Sequence, residues 1–420
     1  MIRKATLLIF ITSALAVHFA SAQGDKVVPV IFSYDAAILS ANKSKIKAND
    51  LLLCAAYKQL LKDADKALNL KPMSVMEKTN KPPSGDKHDY MSLAPYFWPD
   101  PSKPNGLPYL RKDGETNPEV KDYKDKEYLP KLCEAVNTLA LAYYFSGNNK
   151  YADHAAQLIR VWFLNKDTRM NPNLNYAQAM KGLNDGRGAG LIDTRHLIKV
   201  VEGIGFLNSS KSWSAADQRG MVQWFTDFLN WMQTSKNGMD EMNAKNNHGV
   251  WYDAQRLSFS LFTGQKDVAK KIVLHVQIRL DKQMDDNGNF PAELERTNSL
   301  HYTVFVVEPL FMIAQMAKPT GIDLFNYTST SGKSLSKAFY ALQPYLTQEK
   351  KWTGQEIKKF DFDKAIPLLV YGTDKYNCTA CTAAFKKMPA DKTEKLRIRL
   401  LSNIDLQHSA FKAEKNCKRF

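Results

Sequence analysis

Two short stretches carry side chains that could act together on one substrate. Asn246 to Trp251 (NNHGVW) offers an amide and an imidazole, and Glu293 to Tyr302 (ELERTNSLHY) offers a guanidinium and a phenol. Those four groups suit one reaction: removal of a proton α to a carboxylate, with expulsion of the oxygen β to it. Such a proton is a very weak acid until the carboxylate charge is neutralised, so an amide and a cation must hold that group as it takes on enediolate character. Asn247 and Arg296 fit this task, with His248 beside them. A base must also reach the proton and an acid the departing oxygen. Where both lie on the same face of a sugar ring, as in β-linked mannuronate, one residue can do both. Tyr302 is the candidate, provided that Arg296 and the imidazole lower its phenol from the ordinary value of about 10. His248 is the alternative base, above all when proton and leaving group lie on opposite faces.

The elements that must position these groups are helices. Apolar spacing at three and four residues recurs along the whole chain, and strict alternation is scarce. The pattern predicts helices over Asp50–Leu68, Glu127–Phe145, Asn149–Phe163, Leu191–Leu207, Ala215–Thr234, Asn247–Phe262, Lys266–Gln283, Leu300–Ala317 and Ser334–Leu346, with shorter ones around Phe362–Tyr371 and Thr393–Asn403. Short polar turns between them read as helical hairpins. Such a series excludes a Rossmann or (β/α)8 fold, and the absence of a fixed repeat disfavours the usual solenoids. The expected architecture is all-α, a layer of helical hairpins around a central cleft. Asn246 and Asn247 cap a helix whose buried stripe begins at Trp251, Ala254 and Leu257. Tyr302 opens the apolar helix that follows Arg296, so the two helix entrances would converge on one end of a helical barrel.

Two further segments are too polar and aromatic to be simple core. His88 to Arg111 sets Tyr90, Tyr96, Trp98 and Tyr109 among prolines near Arg111, and aromatic faces beside cations can stack sugar rings and pair with carboxylates. The plainer role is a packed loop over helix ends. Met170 to Arg195 crowds Asn171, Asn173, Asn175, Tyr176 and Gln178, which can bond sugar hydroxyls, ahead of glycines at 182, 186, 188 and 190. For Asp193 and Arg195 the plainer role is capping and pairing within a helix.

The formal charge is +15, and loss of Arg3 and Lys4 with a leader makes it +13. That excess can steer a polyanion, although solubility alone also explains a basic chain. Arg3 and Lys4 before the apolar run Ala5 to Ala16, then Ala20-Ser21-Ala22, read as a signal peptide over 1–22. The remaining 23–420 is expected to be one catalytic domain, periplasmic or secreted, without a membrane span and acting as a monomer. Export argues against nucleic acid, which leaves an acidic polysaccharide as partner. Of the five cysteines, Cys378 and Cys381 form a CxxC without a second ligand pair, so no metal or other cofactor is expected. A local disulfide, or one from this pair to Cys417, is expected, with Cys54 and Cys133 as buried thiols.

At these residues the chain resembles the alginate lyase family of helical-toroid polysaccharide lyases. The shared segments are Asn246 to His248, Arg296 with Leu300, His301 and Tyr302, the DY…PYFWPDP…GLPY…DGE…NP stretch from Asp89 to Pro118, NPNLNYAQ and LIDTR. The resemblance runs from about Asp50 to Pro344. It implies an incomplete (α/α) toroid, β-elimination leaving an unsaturated uronate at the new non-reducing end, and no obligatory metal. It also implies that Asn247 and Arg296 neutralise the carboxylate, that His248 assists or serves as base, and that Tyr302 is base and acid. The chain differs from the familiar periplasmic members in having Leu93 after Ser92 where they carry a lysine, and in a shorter Arg to Tyr gap. It is thereby similar to a divergent branch in which alginate and glucuronan specificities both occur.

The expectation is therefore a secreted, endo-acting lyase on alginate with a preference for mannuronate. Its carboxylate and proton chemistry rests on Tyr302, His248, Asn247 and Arg296, and its sugar contacts on Tyr90, Tyr96, Trp98, Tyr109, Arg111, Tyr176, Gln178, Trp251 and His301. Glucuronan cleaved by the same mechanism is the alternative. A glycoside hydrolase would need facing carboxyls, for which Glu293 or Glu295 with Asp193 or Asp253 are the available pairs. A glycan-binding protein without turnover would not need the phenol.

Overall fold

A computed structural model describes residues 29–404; the signal peptide over 1–22 and Cys417 lie outside them. Sixteen helices follow one another among the described residues. They are α1 (Ala36–Lys47), α2 (Leu51–Ala67), α3 (Lys124–Ser146), α4 (Asn149–Ile159), α5 (Leu197–Leu207), α6 (Ala215–Thr234), α7 (Lys236–Met242), α8 (Asn247–Phe262), α9 (Lys266–Gln283), α10 (Pro291–Leu294), α11 (Ser299–Met316), α12 (Leu335–Leu346), α13 (Ile366–Tyr376), α14 (Thr379–Lys387), α15 (Ala390–Thr393) and α16 (Ile398–Leu401). The spans expected for α6, α8 and α9 coincide with those observed. The expected C-terminal helix over 393–403 is instead two single turns, α15 and α16. Four helices, α1, α7, α10 and α14, were not expected. The first is only weakly amphipathic, and it is fixed by Asp35, whose side chain accepts the N–H groups of Ala37 and Ile38.

Neighbouring helices pair as hairpins, α3 with α4, α8 with α9, α11 with α12 and α12 with α13, and α3 and α5 pack side by side. The core forms two clusters. One is built on α2 to α6 and the other on α8 to α14. Helix α8 serves both: Tyr252 and Phe259 enter the first, and Val250, Trp251, Ala254 and Leu257 the second. It is therefore buried nearly all round, and the polar side chains it carries inside must be satisfied there. Asp253, fully buried, accepts from Arg279 Nε at 2.7 Å, while the rest of that guanidinium donates to the carbonyls of Ala244 and Met242. These bonds fix the turn leading into α8. Gly249 is required at that place, because a Cβ would lie 2.1 Å from the guanidinium and 2.3 Å from the Ala244 oxygen.

The region between α2 and α3, in which no helix was expected, contributes small strands that the helical pattern did not foretell. Strand β1 (Met91–Leu93) pairs in parallel with β4 (Tyr176–Ala179), and β2 (Phe97–Trp98) pairs antiparallel with β3 (Leu110–Arg111). They bring the two aromatic and polar segments together over one end of the helices. Cys378 bonds to Cys381, so this pair closes on itself rather than on Cys417. Cys54 is also disulfide-bonded, contrary to the expectation of a thiol, while Cys133 is a buried free cysteine. No helix among the described residues is long and apolar enough to cross a membrane.

Candidate active site

One cavity of about 1040 Å³ gathers the four candidate groups: Asn247, His248, Arg296 and Tyr302 all line it. Asn246 caps α8 through its side chain, which accepts the His248 N–H at 3.1 Å. The two residues that follow the cap are braced by buried carboxylates from flanking helices. Glu293 of α10 accepts the Asn247 backbone N–H at 2.5 Å and its Nδ2 at 2.9 Å. Glu241 of α7 lies 2.7 Å from His248 Nδ1. Negative charge at a helix N-terminus is favourable in itself. Here it also orients side chains: with Nδ1–H donated to Glu241, the lone pair of Nε2 is left for the cavity. The Asn247 Oδ1 is buried without a partner.

On the facing side, Arg296 lies flat on the Tyr302 ring, 3.5 Å from its centroid. Its Nε and Nη2 are taken by Asp113, at 3.0 Å and 2.7 Å. Much of the cation's charge is thus already answered, and the Nη1 edge is the one without a partner among the described residues. The Tyr302 hydroxyl meets the Tyr96 hydroxyl at 2.8 Å. The phenol does not ionise more easily here, as had been expected. Burial pushes it far above its ordinary value, Tyr96 acts in the same direction, and Arg296, placed against the ring face, opposes them without prevailing. His301 also lines the cavity, stacked near Phe305, and burial lowers its imidazole to about 4.

Of the expected sugar contacts, Tyr96, Arg111, Gln178, Trp251 and His301 line the cavity. Tyr90, Trp98, Tyr109 and Tyr176 do not. Tyr90 is wholly buried and its hydroxyl donates to Asp193, while that of Tyr109 donates to Glu119; both belong to the packed loop that was their plainer role. Trp98 donates its indole N–H to the Glu115 carbonyl and lies under Lys112. Tyr176 is half-buried in β4. Asp193 and Arg195 do not pair within a helix as expected. Asp193 instead gathers Lys126 at 2.6 Å, Ser92 at 2.7 Å and Gln178 at 3.1 Å beneath the cavity. Arg195 donates to the Ile192 carbonyl beside Trp251 and Phe305.

The carboxyl pairs named for a hydrolase do not come together on the cavity wall. Glu293 is fully buried and spent on Asn247, Asp253 is spent on Arg279, Glu295 is exposed, and of the four only Asp193 reaches the cavity. Three contributors were not singled out in the sequence: Asp113, Glu241 and Arg187. Asp113 lies in the DGE triplet and Arg187 in the glycine-rich stretch, but nothing in their spacing marked them. No cluster of three or more His, Cys, Asp or Glu that could hold a metal ion occurs among the described residues.

Fold and cavity together define an incomplete (α/α) toroid with a cleft lined by guanidinium, imidazole and phenol groups. Comparison with known proteins narrows this class. Residues 74–352 match the model of the family described as alginate lyase, and the chain belongs to that family. It is similar over 90% of its length, with 40% identity and a TM-score of 0.84, to the whole of a crystallised alginate lyase from Bacteroides ovatus. The crystal structure of alginate lyase A1-III from Sphingomonas species A1, at 17% identity and a TM-score of 0.51, shares the fold over 85% of this chain and 93% of that one. An alginate lyase of Pseudomonas fluorescens strain SBW25 is 27% identical over 140 residues, which is 33% of this chain and 37% of the relative. The chain thus spans little more than a third of the length of that curated relative.

Proposed function

We propose that this protein is a polysaccharide lyase that cleaves a polyuronate, with alginate as the substrate and mannuronate blocks preferred. The observation that carries the reading is the convergence of Tyr302, His248, Asn247 and Arg296 on one cavity, in a chain 40% identical to a protein described as an alginate lyase. In the proposed step the second Nδ2 hydrogen of Asn247 and the free edge of Arg296 hold the C5 carboxylate, so that charge developing on it is stabilised by groups already in place. The C5 proton leaves to the base, its electron pair forms the C4–C5 double bond, and the C4–O bond breaks. The departing oxygen takes a proton from the acid, which gives an unsaturated uronate at the new non-reducing end.

Tyr302 is the acid, and on mannuronate, where both events share a face, it also serves as base. A second reading is favoured by the Glu241 brace and by the burial of the phenol. In it His248 Nε2 takes the C5 proton while Tyr302, held protonated, delivers its own to the leaving oxygen. Export and a periplasmic or extracellular setting belong to the same proposal and rest on the leader-like residues 1–22.

The test is the ultraviolet absorbance of the conjugated product, followed with purified protein on poly-mannuronate, poly-guluronate and glucuronan separately. A rise on poly-mannuronate is expected. A rise on glucuronan alone would reassign the substrate, and new reducing ends without absorbance would replace elimination by hydrolysis.

A further inference from the structure

Every uronate of a polyuronate carries a carboxylate, and each one drawn into the cleft loses water that must be replaced. The cavity holds a guanidinium, that of Arg187, whose hydrogen-bonding fork is largely uncommitted. Arg187 lines the cavity and has no carboxylate within ion-pair distance among the described residues; its single side-chain bond runs from Nη2 to Gln178 Oε1 at 2.9 Å. Its Nε is buried without a partner, and the guanidinium stands 5.1 Å from the centroid of the Phe97 ring. An aromatic face on one side leaves the fork's edge as the place for an anion.

Arg296 and Arg111 are less free, because both engage Asp113. Arg195 also makes one side-chain bond, to the Ile192 carbonyl, but unlike Arg187 it has no buried nitrogen without a partner. The carboxylates nearest to Arg187 in charge, Glu241 and Asp193, are occupied elsewhere, by His248 and by Lys126 with Ser92.

A second observation concerns Gln178, whose backbone stands at φ 51, a left-handed conformation that a residue with a side chain adopts rarely. Three bonds hold it there: its N–H donates to Ser92 Oγ at 2.8 Å, its Nε2 to Asp193 at 3.1 Å, and its Oε1 accepts from Arg187. Strained backbone persists where the surroundings over-determine it, and such places cluster at ligand clamps. Gly186 and Gly188, on either side of Arg187, let its backbone press into the wall: a Cβ would lie 2.0 Å from the Asn175 oxygen at the first and 2.8 Å from the Asn237 oxygen at the second.

We propose that Arg187, oriented by Gln178, is a carboxylate-binding residue of the cleft that takes a uronate carboxylate of the bound polymer in addition to the one held by Asn247 and Arg296. This rests on the reading of the substrate as a polyuronate, and it makes the cleft select anionic over neutral chains. A bidentate guanidinium-carboxylate contact out of water is among the stronger single polar contacts.

The experiment compares the affinity of a mannuronate oligomer with that of its carboxyl-reduced counterpart, by calorimetry on the Tyr302→Phe background so that turnover does not intrude. Arg187→Gln is expected to weaken the mannuronate oligomer by about 10- to 100-fold and to leave the carboxyl-reduced oligomer unchanged. Equal weakening of both ligands, or no weakening of the charged one, would overturn the proposal. Arg187→Lys keeps the charge and loses the fork, and is expected to fall between wild type and Arg187→Gln. If the Gln variant does not fold, the Lys variant is read with the same two ligands, and wild-type affinity for both would overturn the proposal. A wild-type protein that gives no unsaturated product defeats the lyase reading while the binding comparison still decides Arg187.

Discussion

Replacing Tyr302 with Phe removes one oxygen and keeps the ring. The hydroxyl makes a single bond, to the Tyr96 hydroxyl at 2.8 Å. Losing it should cost about 0.5–1.5 kcal/mol of stability, a shift of a few degrees in melting temperature at most. Arg296 at 3.5 Å and the edge contact with Phe305 both depend on the ring and persist. Catalysis should respond on another scale. A positioned acid or base contributes about 10²- to 10⁴-fold, about 3–5 kcal/mol in the barrier, so kcat should fall by that factor while KM and polymer affinity change little. The assay is the absorbance of the unsaturated product, with circular dichroism to verify the fold. A kcat close to wild type would refute the role given to the phenol. The pH profile of the wild type separates the two readings of the base. Because burial raises the phenol, an ionised Tyr302 would grow about tenfold per pH unit through and beyond neutrality, and kcat would climb without a plateau. With His248 as base the phenol must stay protonated, and kcat should level off instead.

Two other predictions concern the supports of the site. Asp113→Asn should lower kcat/KM by at least about tenfold, because Arg296 loses the charged partner that holds two of its nitrogens, and unchanged kinetics would show that the guanidinium is fixed without it. Burial would raise the Asp113 carboxyl, but Arg296 and then Arg111 hold it well below the usual carboxylate range. Its contribution to stability is therefore present above about pH 4 and is lost only as the pH falls through that lowered value, so the Asn variant should show a weaker acid dependence in thermal melts. Glu202 behaves in the opposite sense. Full burial raises it from 4.5 to about 7, against the lowering effect of the N–H groups of Ser33 and Phe32 that it accepts. The folded state favours its neutral form, so its contribution is present below pH 4.5 and is lost as the pH rises towards 7. Glu202→Gln should flatten that part of the curve of melting temperature against pH, by up to about 3 kcal/mol, and an unaltered curve would contradict it.

Much of the fold was legible because helix periodicity is local. The apolar stripes of Ala215–Thr234, 247–262 and 266–283 run from end to end of the observed helices, and the Asn246 cap was readable from residue type alone. Helix α1 was not, because its apolar pattern is weak and it relies on packing against α2 and α16 in addition to the Asp35 cap. The small strands were hidden for a related reason: β1 and β4 each have only a few residues and stabilise one another across a long separation in the chain.

Residues close along the chain were enough to mark the candidate groups and the helix entrances that carry them, since caps, stripes and side-chain chemistry are local. Which neighbours those groups have was settled by the fold. It placed Glu293 and Glu241 under Asn247 and His248, put Asp113 on Arg296, buried Tyr90 and Tyr109, and left Arg187 without a carboxylate partner among the described residues. The physical reason is that a local pattern can show that a tyrosine is amphipathic or an arginine charged, but not which counter-charge or desolvating wall will stand against it. Those partners arrive from distant segments. They set whether a phenol ionises and whether a guanidinium is spent on the protein or left for a ligand.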